Sequence, residues 1–283
     1  MSYMEPIGTP DGIAIRPRDR KFDRTPLAAR WWLAGDPVAT AFYNAMSASF
    51  PLGEAFFIDV LRHFRDSAEP KLAAEIDAFI KQEAIHAREH NALNRRVVMA
   101  GYDIKPLEAR VARRLDMLRQ RGPLVGLAAT IALEHLTAVF GNEVLSNPRH
   151  LRGSDPEIAR LWRWHCIEEI EHKGVAFDMW LHATCDWSGW RRWSMRARLM
   201  IPITRRFFHD RLCATLELLR QDGFSRRRIA MAVLAFMLFR PGMMRKMLQG
   251  WFAFFRPGFH PWDHDDRHLI EDAARAEPIP ATR

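Results

Sequence analysis

The chain has 283 residues, 48% hydrophobic and 27% charged, with Gly (15) and Pro (17) scattered along it, which excludes a fibrous or low-complexity protein and suits one large globular domain or two small ones. A net charge of +8 and a pI near 9.9 favour anionic partners. Three cysteines without metal-like spacing (Cys166, Cys185, Cys213) read as reduced thiols of a cytoplasmic protein. The polar, Pro-rich N-terminus shows no signal-peptide pattern, and the longest unbroken apolar run, Ile229 to Phe239, is too short to span a bilayer.

In chain order, residues 1–36 read as an extended arm, with Pro6, Pro10, Pro17 and Pro26 set among charges. Helix signals then dominate, and no strand alternation lasts. A first long helix is expected from Pro37 to Arg65, kinked or restarted at Pro51. A second runs from Pro70 to Ala100 and stops at Gly101; a shorter one covers Pro106 to Gln120. A third follows Gly122-Pro123 and ends before Asn147-Pro148. The fourth begins after Ser154-Asp155-Pro156, a cap followed by proline at the first helical position, and ends near Asp186. Residues 187–256 form a basic, aromatic helical extension packed on the bundle, and 257–283 a polar tail containing Phe259-His260-Pro261-Trp262. The expected fold is all-α: a four-helix bundle over 37–186 with additional C-terminal helices.

The four long helices share one feature. Each carries apolar residues in 4-3 steps, the spacing of a buried seam, and each seam is interrupted by a glutamate. The first has Phe50, Glu54, Phe57 and Leu61; the second Ile76, Phe79, Glu83, His86, His90 and Leu93; the third Leu127, Ile131, Glu134 and Ala138; the fourth Ile158, Trp162, His165, Glu169, His172 and Ala176. Burying such groups unpaired costs several kcal/mol each, so something must neutralise them. Glu83 and Glu169 each have a histidine three residues on. One Glu from each of two helices and Glu-x-x-His from each of the other two is the ligand pattern of carboxylate-bridged dimetal bundles. Chance would supply roughly 0.7 Glu-x-x-His pairs in this composition; both pairs present fall on inward seams of alternate helices. Four carboxylates with neutral imidazoles also balance two divalent ions, whereas four bare carboxylates in one core would repel.

The segments Phe50-Pro51-Leu52-Gly53-Glu54, Gln82-Glu83-Ala84-Ile85-His86 with His90, Leu133-Glu134-His135, Trp164-His165 through Glu171-His172, and Phe259-His260-Pro261-Trp262 resemble the bacterial family of predicted metal-dependent hydrolases. The resemblance implies a ferritin-like superfamily fold over most of the chain. The His165-x-x-x-Glu169-x-x-His172 element is also similar to the diiron arylamine N-oxygenases, in which the extra histidine is a third imidazole ligand; that likeness makes His165 a ligand candidate beside Glu54, Glu83, His86, Glu134, Glu169 and His172. His90, one turn beyond His86, is expected to hydrogen-bond a ligand rather than be one. Glu168 is an alternative to Glu169, since it stands four residues before His172, but the seam register favours Glu169. Glu171 is expected to point to solvent, and His63 and His135 to serve surface or packing roles.

Hard oxygen and imidazole ligands with open positions suit iron or manganese better than zinc. The first functional expectation is an O2-dependent diiron oxidase or oxygenase, with O2 as co-substrate, an electron donor as partner and a small apolar organic substrate. The runner-up is dimetal hydrolysis of an ester or phosphoester, as the family name implies; a non-catalytic metal-binding bundle is the third. Residues 187–256 hold fifteen Arg or Lys against Asp210, Glu217 and Asp222, interleaved with Trp and Phe. No nucleic-acid-binding signature accompanies them, and the region is expected to pack on the bundle or to lie against an anionic membrane.

Overall fold

Asp36 starts the first helix, its carboxylate accepting from the backbone N–H of Val38 and Ala39. Helix α1 (Pro37–Ser47) stops short of Pro51, and α2 (Phe50–Arg65) restarts with that proline in its first turn, where its missing N–H costs nothing. The expected first helix is therefore two. Helix α3 spans Pro70–Met99, α4 Lys105–Arg119 and α5 Pro123–Ser146. Asp155 caps α6 (Pro156–His172) through the N–H of Glu157 and Ile158. The expected fourth helix also divides, because α7 (Val175–Ala183) begins only after Lys173-Gly174. A Cβ at Gly174 would stand 2.7 Å from Trp262 Nε1, so this break is where the C-terminal segment docks. The remaining helices are α8 (Gly189–Gln221), α9 (Arg226–Leu238), α10 (Met243–Ala253) and α11 (Arg267–Ala276).

This computed structural model describes residues 9–10, 12–239 and 241–276; both chain ends, Asp11 and Arg240 lie outside the described residues. Among these, the only β pairing is a single bridge, Leu33 to Ser154, and the fold is all-α as expected. Helices α2, α3, α5 and α6–α7 form the bundle: α2 packs on α3 and α5, and α6–α7 close the square against α3 and α5. Helix α5 alone is long and apolar enough to cross a membrane by length and composition, but 78% of that window is buried, as a core helix. Helix α8 packs across α1 and α5, α10 lies on α5, and α9 contacts α1, α8 and α10.

The two ends of the described chain are more structured than their composition suggests. Phe22 of the arm is buried, 5.4 Å from the Trp164 ring, and its N–H donates to Glu89. The C-terminal segment is not a free polar tail. Phe259, His260 and Trp262 are buried, His260 Nε2 lies 3.0 Å from Asp178 Oδ1, and Lys173 Nζ pairs with Asp266 at 2.6 Å. All three cysteines are free thiols.

Candidate metal centre

The seams bring Glu54 from α2, Glu83 and His86 from α3, Glu134 from α5, and His165, Glu169 and His172 from α6 to one point in the bundle. None is more than 3% exposed. Ligand atoms of Glu54, His86 and His165 lie within 4.8 Å of one another, as do those of Glu83, Glu169 and His172. Glu134 joins the second group, its Oε2 being 3.4 Å from His172 Nε2. Glu169 stands between the groups: Oε1 is 3.2 Å from His165 Nε2 and 3.7 Å from His86 Nδ1, while Oε2 is 3.8 Å from His172 Nε2. His86 thus lies within reach of Glu54 and His165 as well as of Glu83, its neighbour on the helix, whose Oε1 is 3.8 Å from its Nδ1.

Whether these residues fit a pair of ions is decided by their unpaired atoms. Both oxygens of Glu54, Glu83 and Glu134, Oε2 of Glu169, Nδ1 of His86, and Nε2 of His165 and His172 are buried without a hydrogen-bond partner. Ten orphaned polar atoms facing one point would be very unfavourable in an empty core. Cations of the size that bind O and N at about 2.0–2.2 Å would satisfy them together.

The outer nitrogens of the same rings are all engaged, and this fixes which atom each ring presents. His86 Nε2 lies 3.0 Å from Glu168 Oε2, which only accepts, so the ring donates there and keeps its Nδ1 lone pair inward. His172 Nδ1 lies 3.0 Å from Gln82 Oε1, leaving Nε2 inward by the same logic. For His165 the chain is longer. Ser47 Oγ donates to Asn94 Oδ1, so it accepts from His90 Nδ1; His90 Nε2 then accepts from His165 Nδ1 at 3.2 Å, and His165 Nε2 is free toward the centre. His90 and Glu168 each hydrogen-bond a ring that faces the centre and so orient it.

The electrostatics suit a site that holds cations. Burial pulls His86 and His165 down to about 3, keeping both rings neutral. Burial lifts Glu134 to about 7 and, helped by neighbouring carboxylates, holds Glu54 well above the carboxylate range. Burial opposes the ionisation of Glu169, but His165 and His172 outweigh it and bring the group to about 2. His172 is also penalised by burial, yet Glu134 and Glu169 hold it protonated, a proton standing where a metal ion would.

Several supporting residues were not visible in the sequence. Glu171 does not point to solvent: it is 3% exposed, bonded to Arg18 and to Gln82. Arg18, in the arm, reaches both Glu168 (3.0 Å) and Glu171 (2.8 Å), so one guanidinium braces the supports of His86 and His172. Neither Arg18 nor Gln82 follows a seam period, and an arm-to-bundle contact leaves no local signal. His135 packs in the core against the Gly250 carbonyl, while His63 is exposed, as expected. Arg18→Ala should leave all seven ligand candidates in place but weaken metal binding about 10- to 100-fold, the usual effect of removing such a support. Titration against a competing chelator measures this, and an unchanged affinity would show the brace to be irrelevant.

The centre is reached by a cavity of about 120 Å³ between α2, α4, α5 and α8, with Glu54 in its lining and Phe50, Phe57, Leu115, Leu133 and Ile203 among its walls. Helix α4 and the proline-containing α8 (Pro202) supply walls of this cavity, a contribution that depends on how they cross the bundle.

An all-helical bundle with four glutamates and three histidines converging in its core defines a candidate dimetal carboxylate–histidine centre. The sequence comparison adds the family: the profile described as predicted metal-dependent hydrolase matches residues 16–265, and the chain belongs to that family. No curated protein and no solved structure gives a significant match.

Proposed function

We propose that this protein is a dimetal enzyme that hydrolyses an ester or phosphoester of an organic substrate entering through the α2–α4–α5–α8 cavity, with Glu54, Glu83, His86, Glu134, His165, Glu169 and His172 as ligands. The observation that carries a metal centre is the set of ten unpaired buried atoms on these residues; family membership favours hydrolysis over other dimetal chemistry. Two divalent ions held there supply Lewis acidity toward the scissile group and its attacking water, whereas two ferrous ions supply electrons to O2. The chain's own part is common to both. Glu168, Gln82 and His90 orient the three rings, Arg18 braces Glu168 directly and Gln82 through Glu171, and the apolar cavity walls exclude bulk water from the reacting group.

The second reading, an O2-dependent diiron oxidase or oxygenase, is favoured by one specific feature: a third imidazole, His165, presents a fixed lone pair, as its likeness to the arylamine N-oxygenases implies. Manganese is the alternative metal. The test is metal analysis followed by two assays on the loaded protein. Hydrolysis predicts cleavage of 4-nitrophenyl esters or phosphodiesters that chelation abolishes. O2 consumption by the reduced iron form, without such cleavage, would give the oxygenase reading and require an electron donor.

An anionic membrane surface fits the outer face of α9 and α10. Met231 (69%), Phe239 (66%) and Phe252 (61%) are exposed there, alongside exposed Arg227, Arg228 and Arg245. Each basic residue near such a surface contributes about 1 kcal/mol. The protein should sediment with anionic vesicles at low salt, less so at high salt, and not when these three arginines are changed to Gln. Substitution is preferable to deletion because α10 packs on α5. No sedimentation at low salt would leave the face as ordinary packing.

A further inference from the structure

Away from the metal ligands, two buried guanidinium nitrogens face no partner: Arg211 Nε and Arg110 Nη1. Arg211 is the more confined. It is 7% exposed, donates one Nη to Ser49 Oγ, and holds its Cζ 5.0 Å from the Phe207 ring centroid. Among the described residues no carboxylate lies within 4.0 Å of it. Its neighbour Asp210 is engaged by Arg114 at 3.3 Å and by His209 at 3.2 Å. Burial pulls Arg211 down to about 10, which still leaves it charged at neutral pH. Asp210 attracts this charge only from beyond salt-bridge distance, and a buried cation with no paired counter-ion is costly to keep. The Ser49 contact alone could be made by a neutral side chain.

Arg211 lines the same cavity as Glu54. Arg114, Arg121 and Arg206 line it too, and Asp210 is the only acid in the lining apart from Glu54. With Glu54 committed to a metal, the cavity carries a surplus of positive charge beside apolar walls. Ser49, which anchors the guanidinium, is the N-cap of α2 and precedes Glu54 by five positions, about 7.5 Å along the helix axis. The cavity lining thus combines apolar walls, a metal-ligand candidate and a guanidinium anchored about a turn and a half of helix away from it.

We propose that Arg211 binds the carboxylate or phosphate of an anionic amphiphile, whose apolar portion fills the cavity and whose reacting bond lies at the Glu54 end. This names the substrate class for the enzyme proposed above and rests on that reading for the chemistry, but not for the binding. The planar fork of arginine suits bidentate capture of either anion, and the free Nε supplies a donor already desolvated.

The test is calorimetric binding of octanoate, octyl phosphate and 1-octanol to the full-length protein, as purified and after chelation. Chelated protein separates the guanidinium from any ion that could itself bind an anion. The expected result in both preparations is that at least one anion binds tenfold or more tighter than 1-octanol. Arg211→Gln should lower that affinity at least tenfold while 1-octanol changes less than twofold, and Arg211→Lys should fall between. Preference for octanoate assigns a carboxylic acid, and preference for octyl phosphate a phosphoester. Should Arg211→Gln fail to fold, the three-ligand comparison on wild-type protein decides alone. Equal affinity for all three ligands, no binding of any, or an Arg211→Gln variant with unchanged anion affinity overturns the proposal and leaves Arg211 a strut between α8 and α2. A metal centre inert to esters and phosphoesters would refute hydrolysis while leaving the anion preference intact, so the two failures are distinguishable.

Discussion

Glu169→Ala is expected to strip the protein of most of its metal, from two ions per chain to well below one. Glu169 touches both groups, Oε1 approaching His165 and His86 and Oε2 approaching His172, as Glu83 Oε1 does toward His86 and His172. Losing it removes a shared anion from each site, whereas losing Glu54 or Glu134 removes a ligand candidate from one. Binding free energy at such a centre is also folding free energy, so the variant's unfolding temperature should no longer respond to added metal. Elemental analysis of the purified variant, with Glu83→Ala beside it, is the measurement. Full metal content in both would overturn the ligand assignment.

Chelated protein should lose stability steeply as pH rises above about 6.5, and metal-loaded protein should not. The sign follows from the buried groups. Burial and neighbouring carboxylates raise Glu54, and burial raises Glu83 and Glu134, the last to about 7. A carboxyl whose pKa is raised on folding keeps a proton that the unfolded chain has already released, so stability falls as pH climbs toward the folded value. His172 acts in the same direction: burial lowers it, but Glu134 and Glu169 outweigh that and raise it well above the usual imidazole value. Its contribution is likewise lost as pH rises through the folded pKa. His86 and His165, pulled by burial to about 3, have the opposite sign, but only below about 6.5, where the unfolded imidazole is protonated. Glu169, brought to about 2 against burial by His165 and His172, acts only below about 4.5.

Above pH 6.5 the destabilising groups therefore act alone. One proton difference is worth about 1.4 kcal/mol per pH unit, which for a chain of this size is a fall in Tm of roughly 3 to 6 °C per unit. Bound cations replace those protons and should flatten the profile. Thermal unfolding at pH 6.5, 7.5 and 8.5 with and without chelator measures it; a flat profile for the chelated protein would mean that the carboxylates are neutralised in some other way.

The sequence determined the helices, their inward faces and the convergence of the ligand candidates, for a physical reason. A seam in 4-3 steps is a local pattern set by the pitch of the helix, so a charged residue on it must enter the core wherever the helix packs. Glu54, Glu83, Glu134 and Glu169 were legible on that ground, and Asp155-Pro156 marked the start of α6 through its own backbone. Where the long helices break was less legible. Pro51 allowed either a kink or a restart, and the end of α6 at His172 depends on Trp262 docking against Gly174, some ninety residues on. Everything that supports the centre was decided by tertiary structure. Arg18 meets Glu168 and Glu171 across 150 and 153 residues, and the burial of Glu171, which the helical wheel turned outward, exists only because the arm covers it. That His86 comes within reach of Glu54 and His165 from other helices, besides Glu83 on its own, also has no local signal. Helical period fixes which way a side chain faces; which neighbours it meets there is set by how the helices cross and by what the chain ends lay over them.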